Sequence, residues 1–264
     1  MDCIILSRDR ACQLDLLIRS IRKHFVNWPL SQFSVLYKST SERFEQGYSL
    51  LKSEHPEFNY IKEQNFRDDL VRILVRILTT PKPDKLMFLM DDNIFINTFD
   101  PLEVSLDDTS VACHSLRLCP RLNYCYMIDK NMKNPQFSRD LKWVWKGQDC
   151  DWGYPMSLDG HIFRTKQIVP WLIKLNWHSP NTAEANLDNL ARSNTIPPKM
   201  SCFREAKIVN IVSNRVNEDA PNRIPTNPTD IGRLNEDFLN GARIQLPEIK
   251  NHNGCHIEYN YTYG

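Results

Sequence analysis

The sequence has no long apolar run and almost no net charge, and both absences narrow what the protein can be. No apolar stretch is long enough to span a bilayer. The short apolar run at residues 3–7 has no basic segment ahead of it, so it does not resemble a signal peptide. The formal net charge of +1 gives no reason to expect nucleic acid or an anionic membrane as a partner. We therefore expect a cytoplasmic protein without a transmembrane segment.

The eight cysteines contain no C-x-x-C pair. Cys113, Cys119 and Cys125 follow one another closely, with His114 beside them, but this spacing matches no familiar zinc module. We therefore interpret the cysteines as reduced, partly buried thiols. No metal site is predicted from them.

Glycine is missing from the turn that follows the first predicted strand. This turn reads Ser7-Arg8-Asp9-Arg10. A glycine-rich loop at this position would let backbone amides approach a phosphate closely, and its amides would cradle the anion. The absence of such a loop argues against an ordinary dinucleotide-binding domain.

The 264 residues show no internal repeat, low-complexity tract or linker that would separate two domains. The hydrophobic fraction of 41% and the charged fraction of 25% are ordinary for a globular protein. A chain of this length can bury a sizeable core. We therefore expect one domain over residues 1–264.

The first part of the chain alternates strands and helices. Apolar runs predict strands at 3–7, 33–37, 58–61 and 84–91, and helical spacing predicts helices at 12–25, 41–51 and 66–79. This order implies right-handed crossovers and a parallel sheet with a crevice at the strand ends. Further on, short strands are predicted at 110–113, 141–145, 207–212 and 256–262, and helices at 165–175, 181–192 and 234–239. Residues 214–230 read as an irregular surface loop, and loops of this length are often lids.

The fourth predicted strand ends in two carboxylates and a carboxamide, Asp91-Asp92-Asn93. Ligands of open α/β sheets bind beyond the carboxyl ends of the strands. Two adjacent acids repel each other, and a divalent cation is commonly held by one or two carboxylates together with substrate phosphates. This pattern predicts a metal-assisted diphosphate site. The alternative is a strand followed by an Asx-type turn, because Asp and Asn favour turns for local reasons.

Other charged and polar residues fall in the loops at the same crevice. The candidates for donor binding are Ser7, Arg8, Asp9, Lys38, Glu63, Arg67, Asp91 and Asp92. Arg8 and Lys38 could supply the positive groups that a diphosphate needs, although each alone could equally be a solvated charge. The segment 148–164 is dense in aromatic and polar groups, which are typical linings of small-molecule sites. Trp143, Trp145 and Trp152 could equally belong to the core.

In these features the chain resembles the GT-A class of nucleotide-sugar glycosyltransferases, and family 2 within it. The strand–polar turn–helix opening, the acidic end of the fourth strand in the place of a D-x-D motif, the G-x-x-F-R segment 160–164 and a later helix with Glu184 carry the resemblance. It implies a Rossmann-like three-layer α/β/α sandwich around a mostly parallel mixed sheet. It also implies a nucleotide-binding half at 1–98 and an acceptor-binding half at 99–264, with a lid loop at about 213–231.

The resemblance also implies roles for individual residues. The ligands of Mn²⁺ or Mg²⁺ would come from Asp92, Asn93 and His256, with His252 as the alternative histidine. The acceptor would contact Trp152, Tyr154, Asp159 and Gly160. The catalytic base would be Glu184, with Asp149, Asp151 and Asp159 as competitors. Since Asn93 stands where the motif has Asp, either Asp92 or Asn93 could ligate the ion, and a metal-independent variant stays open.

Glu184 has a structural alternative, because Asn181-Thr182-Ala183-Glu184 fits a capping box at the start of a helix. The function implied is sugar transfer from a nucleoside-diphosphate sugar, UDP-sugar favoured, to a glycan or other hydroxyl acceptor. The transfer would be inverting and metal-dependent, in polysaccharide or glycoconjugate synthesis. A sugar-phosphate nucleotidyltransferase and a catalytically silent nucleotide- or sugar-binding domain are the alternatives.

Overall fold

The computed structural model describes residues 1–27, 32–80, 84–193, 196–217, 219 and 222–264. Its helices are α1 (Ala11–His24), α2 (Glu42–Glu54), α3 (Phe66–Thr79), α4 (Thr165–Lys174), α5 (Pro180–Arg192) and α6 (Ile231–Leu239). Its strands are β1 (Asp2–Arg8), β2 (Phe33–Lys38), β3 (Asn59–Lys62), β4 (Lys85–Met90), β5 (Asn93–Phe95), β6 (Val111–Ser115), β7 (Tyr124–Cys125), β8 (Lys130–Asn131), β9 (Lys142–Val144), β10 (His161–Arg164), β11 (Lys199–Cys202), β12 (Ile208–Ile211) and β13 (His256–Ile257). Short 3₁₀ turns include Cys150–Gly153.

Eight of the strands form one mixed sheet in the order β3-β2-β1-β4-β10-β6-β11-β9. Strands β1 to β4 are parallel to one another, as the alternation of strands and helices predicted. Strand β10 runs antiparallel between β4 and β6, and β9 is antiparallel to β11 at the edge. The remaining strands share the direction of β4, so the sheet is mixed but mostly parallel.

Both faces of this sheet are covered, because neighbouring residues of each central strand enter different hydrophobic clusters. Ile4 and Leu6 pack with residues of α3 and α4 on one face. Cys3 and Ile5 pack with residues of α1 and α6 on the other. Side chains alternate across a strand, and a continuous apolar run is typical of a strand buried on both sides. The expected three-layer α/β/α sandwich is therefore confirmed.

One helix cap confirms the prediction from the sequence, and another contradicts it. The Ser41 side chain accepts the amide of Phe44 and caps α2, as predicted. Helix α5 is capped by Ser179, which forms a capping box with Thr182, so the predicted box from Asn181 to Glu184 is wrong. The reason is that Pro180 occupies the first helical position, where its fixed φ and missing N–H suit the helix start. Glu184 is thereby left free for other contacts.

Several strands were not predicted. The strand β10 lies inside the aromatic and polar segment 148–164, whose composition suggested a binding-site lining. The C-terminal stretch 256–262 alternates like a strand, but only His256–Ile257 pairs as β13. Among the described residues of the predicted loop 214–230, none is helical or extended in a sheet, as expected. Within the described part of the chain, no helix combines the length and the apolar content needed to cross a bilayer.

A second, three-stranded sheet brings three polar side chains together at the end of β4. Strand β12 pairs antiparallel with β5 and parallel with β13. In this register Asn210 of β12 lies opposite Asn93 of β5 and opposite His256 of β13. Residues from three distant parts of the sequence therefore stand side by side, next to the acidic pair that follows β4.

Candidate functional site

Asp91 and Asp92 lie at the carboxyl end of β4, as predicted, and the positive group beside them is Arg10. The Arg10 Nη1 atom donates to Asp91 Oδ1 at 3.0 Å and to Asp92 Oδ2 at 3.2 Å. The amide of Arg8 donates to Asp91 Oδ2 at 3.1 Å. Asp91 is buried, whereas the Asp92 side chain keeps 22% of its surface exposed. Asp92 is therefore the acid that a ligand can reach.

Arg10 was not among the predicted site residues, although it lies in the same polar turn as Arg8. Its Nε donates to Asn214 Oδ1 at 2.8 Å, and its Nη2 donates to the Asn214 carbonyl at 2.6 Å. All three nitrogens of the guanidinium are thus held by protein groups. Arg10 therefore ties the acidic pair to the first residues of the predicted lid loop.

Asp159 is the centre of the hydrogen-bond network beside the acidic pair. Its Oδ1 accepts from Asn93 Nδ2 at 2.8 Å, and its Oδ2 accepts from Asn210 Nδ2 at 2.9 Å. Asn210 also donates to Asp92 Oδ1 at 3.2 Å, so one carboxamide bridges two carboxylates. His256 Nε2 lies 3.7 Å from Asp159 Oδ2. The predicted residues Asp92, Asp159 and His256 are therefore brought together.

Arg117 is the second cation of the site, and it too was missed. Its Nη1 lies 3.2 Å from Asp159 Oδ2, and its Nη2 lies 3.5 Å from Asp151 Oδ1. Only 3% of its side chain is exposed. In the sequence Arg117 stands between Leu116 and Leu118. A charged residue that is buried with apolar neighbours must be paired, so this pattern was the available signal that Arg117 has a buried acidic partner.

Glu184 reaches from α5 into the same region. Its Oε1 accepts from Ser157 Oγ at 2.9 Å and from the amide of Leu158 at 2.6 Å, and its Oε2 lies 3.5 Å from the Tyr154 hydroxyl. Burial, and next the negative charge of Asp159, raise the pKa of Glu184 above its ordinary value. Glu184 is therefore a buried carboxylate, held by Ser157 and Leu158, in the neighbourhood of the acidic network.

The site contains more negative than positive side chains. Its five carboxylates are Asp91, Asp92, Asp151, Asp159 and Glu184. The two guanidinium groups among the described residues of the network are those of Arg10 and Arg117. Burial, followed by the charges of Asp91 and Asp159, raises the pKa of Asp92 to about 6 against the opposing effect of Arg10. The arrangement thus favours an additional cation next to Asp92.

The donor atoms fit a hard divalent cation at Asp92 better than at Asn93. Asn93 is fully buried, its Oδ1 accepts the amide of Met90 at 2.8 Å, and its Nδ2 is bound to Asp159. Carboxylate oxygens are preferred ligands of Mg²⁺, and an imidazole nitrogen is acceptable to Mn²⁺. Of the two candidate ligands, Asp92 and Asn93, Asp92 therefore has the more suitable donor atoms. His256 lies within the same network.

Some predicted donor-binding residues lie at the crevice in pairs. Ser7 Oγ is hydrogen-bonded to the Tyr48 hydroxyl at 2.6 Å, and Asp9 Oδ1 accepts the amide of Thr40 at 2.7 Å. Lys38 Nζ lies 3.1 Å from Glu63 Oε1. These contacts lie at or just beyond the carboxyl ends of β1, β2 and β3. The donor-binding role of these residues stays a prediction.

Other predicted residues are not brought to the acidic network. Arg67 stacks on Trp177 and donates to the carbonyl of Ile173 at 3.1 Å. Asp149 is exposed and pairs with Lys130 at 2.9 Å. His252, the alternative histidine, bonds to the carbonyl of Gly254.

Two acceptor candidates are structural parts of the segment 148–164. Trp152 is fully buried against Trp143, with ring centroids 5.1 Å apart, so the alternative that places it in the core is correct. Gly160 has a φ of +68°, and a Cβ there would come within 2.2 Å of Ile208 Cδ1. Gly160 therefore allows the backbone to approach β12, which directs Asp159 into the network.

Sequence similarity connects part of the chain to a known glycosyltransferase. No protein-family model matches the chain. It is 30% identical over 186 residues to the bifunctional glycosyltransferase pgtA of Dictyostelium discoideum. The chain is a relative of a glycosyltransferase. The matched part is 62% of this chain and 24% of pgtA, so the chain spans about a quarter of that relative's length.

Two solved structures align with most of this chain at low sequence identity. TarS of S. aureus in complex with UDP is 11% identical, with a TM-score of 0.49 over 79% of this chain and 60% of that one. The mannosyltransferase PcManGT of Pyrobaculum calidifontis, in complex with GDP-Man and Mn²⁺, is 10% identical, with a TM-score of 0.45 over 81% of this chain and 57% of that one. These likenesses are weak.

Proposed function

We propose that the chain is a glycosyltransferase domain that moves a sugar from a nucleoside-diphosphate sugar to an acceptor hydroxyl. The favoured donor is a UDP-sugar, and the transfer inverts the anomeric centre and uses Mn²⁺ or Mg²⁺. The observation that carries the proposal is the excess of carboxylates over guanidinium groups at the carboxyl end of β4. An uncompensated buried charge is costly, so such a network needs a further positive partner. The 30% identity with part of a bifunctional glycosyltransferase supports the reaction class.

Within this proposal Asp92 holds the cation together with the phosphates of the donor, and the buried Asp91 acts through Arg10, to which both acids are bonded. A bound divalent cation supplies electrostatic stabilisation of the negative charge that develops on the departing nucleoside diphosphate. Asn210 and Arg10 fix the orientation of the Asp92 carboxylate through its two oxygens. Both contacts come from other elements, so Asp92 is oriented before any ligand binds.

Glu184 acts as the general base in the proposed reaction. It accepts the proton of the attacking hydroxyl, since a base with a raised pKa is better matched to a proton transfer near neutral pH. Ser157 and Leu158 hold one of its oxygens, and the other faces Tyr154. Tyr154 and Asp159 are then placed to contact the acceptor or the sugar. Asp151 is a weaker candidate, because Arg117 pairs with it.

The β1–α1 turn favours glycosyl transfer over the nucleotidyltransferase alternative. The amides of Arg8, Asp9 and Arg10 donate to Asp91, to the Lys38 carbonyl and to the Tyr48 hydroxyl, respectively. A triphosphate cradle would need amides of this turn to point at the ligand. Because the protein itself uses these three amides, the turn offers little to a triphosphate.

The first test is the thermal stabilisation of the protein by a panel of nucleotides, each with and without Mn²⁺. A ligand that binds only the folded state stabilises it in proportion to its concentration over its dissociation constant. We expect a diphosphate, UDP before GDP or dTDP, to raise the melting temperature more with Mn²⁺ than without. If no nucleoside diphosphate shifts the melting temperature, the proposal is wrong.

Two variants separate the roles within the site. Asp92→Asn should abolish the Mn²⁺-dependent part of the nucleotide shift. Glu184→Gln should keep that shift while slowing the release of sugar from the donor, which can be followed as slow hydrolysis when no acceptor is known. Donor binding without any hydrolysis or transfer in the unmodified protein would favour the silent binding domain instead.

A further inference from the structure

A second group of potential metal ligands adjoins the acidic network on the side of the C-terminal segment. Cys255 and His256 are consecutive, and Asp151 comes from the 3₁₀ turn Cys150–Gly153. One carboxylate oxygen of Asp151, the Cys255 sulfur and one ring nitrogen of His256 all lie within 4.8 Å of one another. Cys255 and Asp151 are buried, and His256 is half-buried. The three side chains therefore face a common point that solvent barely reaches.

The spacing of two of these atoms matches that of zinc ligands. Cys255 Sγ lies 3.4 Å from His256 Nδ1. A zinc–sulfur bond of about 2.3 Å and a zinc–nitrogen bond of about 2.0 Å at a tetrahedral angle place the two ligand atoms about 3.5 Å apart. The pair thus needs almost no movement to share one ion.

Asp151 provides an independent sign of a missing partner. Its side chain is 9% exposed, and its Oδ2 atom has no hydrogen-bond partner among the described residues, while Oδ1 lies 3.5 Å from Arg117. Burial alone would raise the pKa of Asp151, but Arg117, His256 and the nearby thiols of Cys125 and Cys255 hold this pKa below its ordinary value. The donors around Asp151 are thus Arg117 and two thiols, and a thiol is a weak donor, so a metal ion in place of the thiol protons would satisfy this buried carboxylate better.

We propose that Asp151, Cys255 and His256 form a site for a thiophilic divalent cation, Zn²⁺ by its ligand preference, that is distinct from the hard-cation site at Asp92. The fourth position is open to solvent or to Cys125, whose thiol lies next to Asp151. Binding replaces the thiol proton of Cys255, which passes to solvent, by the metal. His256 coordinates through Nδ1, and its Nε2 faces Asp159 at 3.7 Å. A carboxylate beside the second ring nitrogen is the usual partner of a zinc-bound histidine.

Such an ion would connect distant parts of the chain. Asp151 precedes β10, whereas Cys255 and His256 stand at the start of β13, whose register with β12 sets the position of Asn210. The ion would therefore hold the C-terminal segment against the segment 148–164, directly behind Asp159. His256 would serve this structural ion, and the hard cation at Asp92 would then depend on carboxylates and on its nucleotide.

The test is the zinc content and zinc affinity of the full chain after removal and re-addition of metal, with Co²⁺ as a spectroscopic substitute. We expect one zinc per chain, and a cobalt–thiolate charge-transfer band in the near ultraviolet. Cys255→Ser should remove that band and weaken zinc binding by about 100-fold or more, since even the loss of a second-shell partner weakens zinc binding by about 10- to 100-fold.

Matched variants identify the site. Cys202→Ser changes another buried thiol, on β11, and should retain both the zinc and the cobalt band. Asp92→Asn should also retain them. A cobalt complex without a thiolate band in the unmodified protein would overturn the proposal, and so would zinc that survives Cys255→Ser but is lost in Asp92→Asn. The zinc content is measured without nucleotide, so a failure of nucleotide binding leaves this result unaffected.

Discussion

Arg10 neutralises part of the charge of Asp91 and Asp92, and its burial makes this pairing important for stability. The sequence predicted a positive group at this turn but indicated Arg8 rather than Arg10. Both residues adjoin Asp9 in the same short turn, so charge alone could not distinguish them. The difference arises from the backbone of Asp9, whose φ of +56° reverses the chain between the two arginines.

We expect Arg10→Gln to destabilise the protein by about 3–5 kcal/mol, because it leaves the buried Asp91 and the partly exposed Asp92 without their cation. Urea denaturation with and without Mn²⁺ measures the effect, and Mn²⁺ should restore part of the lost stability. Arg22→Gln is the control, since Arg22 pairs with Glu57 near the surface and should contribute no more than about 1 kcal/mol. Equal losses in the two variants would contradict the assignment.

Glu184 should determine the acid side of the pH dependence of activity. A base must be deprotonated to accept a proton, and burial raises the pKa of Glu184. Donor hydrolysis should therefore decline, as the pH falls, at a higher pH than an ordinary glutamate would give. The pH–rate profile of Glu184→Gln should lack this decline and show only residual activity. An unchanged profile in that variant would assign the base elsewhere.

Two buried histidines should make the fold sensitive to acid. Burial lowers the pKa of His114 and the pKa of His161 to about 3 each. Between that value and the unfolded pKa of about 6.5 the unfolded chain binds more protons, so stability falls as the pH decreases through this range. Each histidine contributes up to about 1.4 kcal/mol per pH unit there. Urea denaturation from pH 7 to pH 4 tests this, and His114→Asn should flatten the dependence.

At the level of elements, the three-stranded sheet of β5, β12 and β13 completes the site. The strand β12 was predicted from its apolar residues and β13 lies within the predicted strand 256–262, whereas β5 is too short to give a periodic signal. The polar Asn210 inside an otherwise apolar strand was the available indication of a buried role. Its partners Asp92 and Asp159 are far away in sequence, and no local pattern connects them.

Asn210→Ala should weaken the site more than the fold. It leaves Asp92 Oδ1 without its donor and removes one of the donors to Asp159 Oδ2, which keeps Arg117, and this should cost about 1–3 kcal/mol. It should also change the Mn²⁺ dependence of the nucleotide-induced thermal shift, because the orientation of Asp92 is lost. Asn97→Ala is the control, since its side chain donates to the Ala206 carbonyl outside the network. A normal Mn²⁺ dependence in Asn210→Ala would show that the bridge is not needed.

At the level of the whole molecule, the predicted lid loop at about 213–231 is attached through several described residues, Asn214 and Arg223 among them. Asn214 is held by Arg10, and the Arg223 Nη1 atom donates to the Tyr124 hydroxyl and to the Tyr126 carbonyl at 3.2 Å. The guanidinium of Arg223 also lies over the Tyr126 ring. These contacts join the loop to the β1–α1 turn and to residues 124–126, and its role as a lid stays a prediction.

Arg223→Ala should release the far end of this loop. Limited proteolysis should then cut within 213–231 several-fold faster than in the unmodified protein, because cleavage follows the population of the open loop. UDP with Mn²⁺ should slow cleavage of the unmodified protein. Arg215→Ala is the control, since Arg215 Nη1 contacts the Asn222 carbonyl within the loop itself. Equal cleavage rates in both variants would argue against an anchoring role for Arg223.

The sequence predicts the parallel part of the sheet because each strand and helix there carries its own local periodicity. It does not predict the order of the other strands, since this depends on pairings between distant segments such as β6 and β11. The same division applies to the site. The acidic end of β4 is visible locally, but Arg117 and Asn210 become site residues only through the fold.

The place of β10 in the sheet bears on how the protein folds during synthesis. Until Arg164 has emerged from the ribosome, the edge of β4 that will pair with β10 exposes unpaired backbone groups beside an apolar surface. Such an edge readily pairs with other chains. A fragment that stops before β10 should therefore aggregate, and a nascent chain of that length would depend on a chaperone to keep this edge covered.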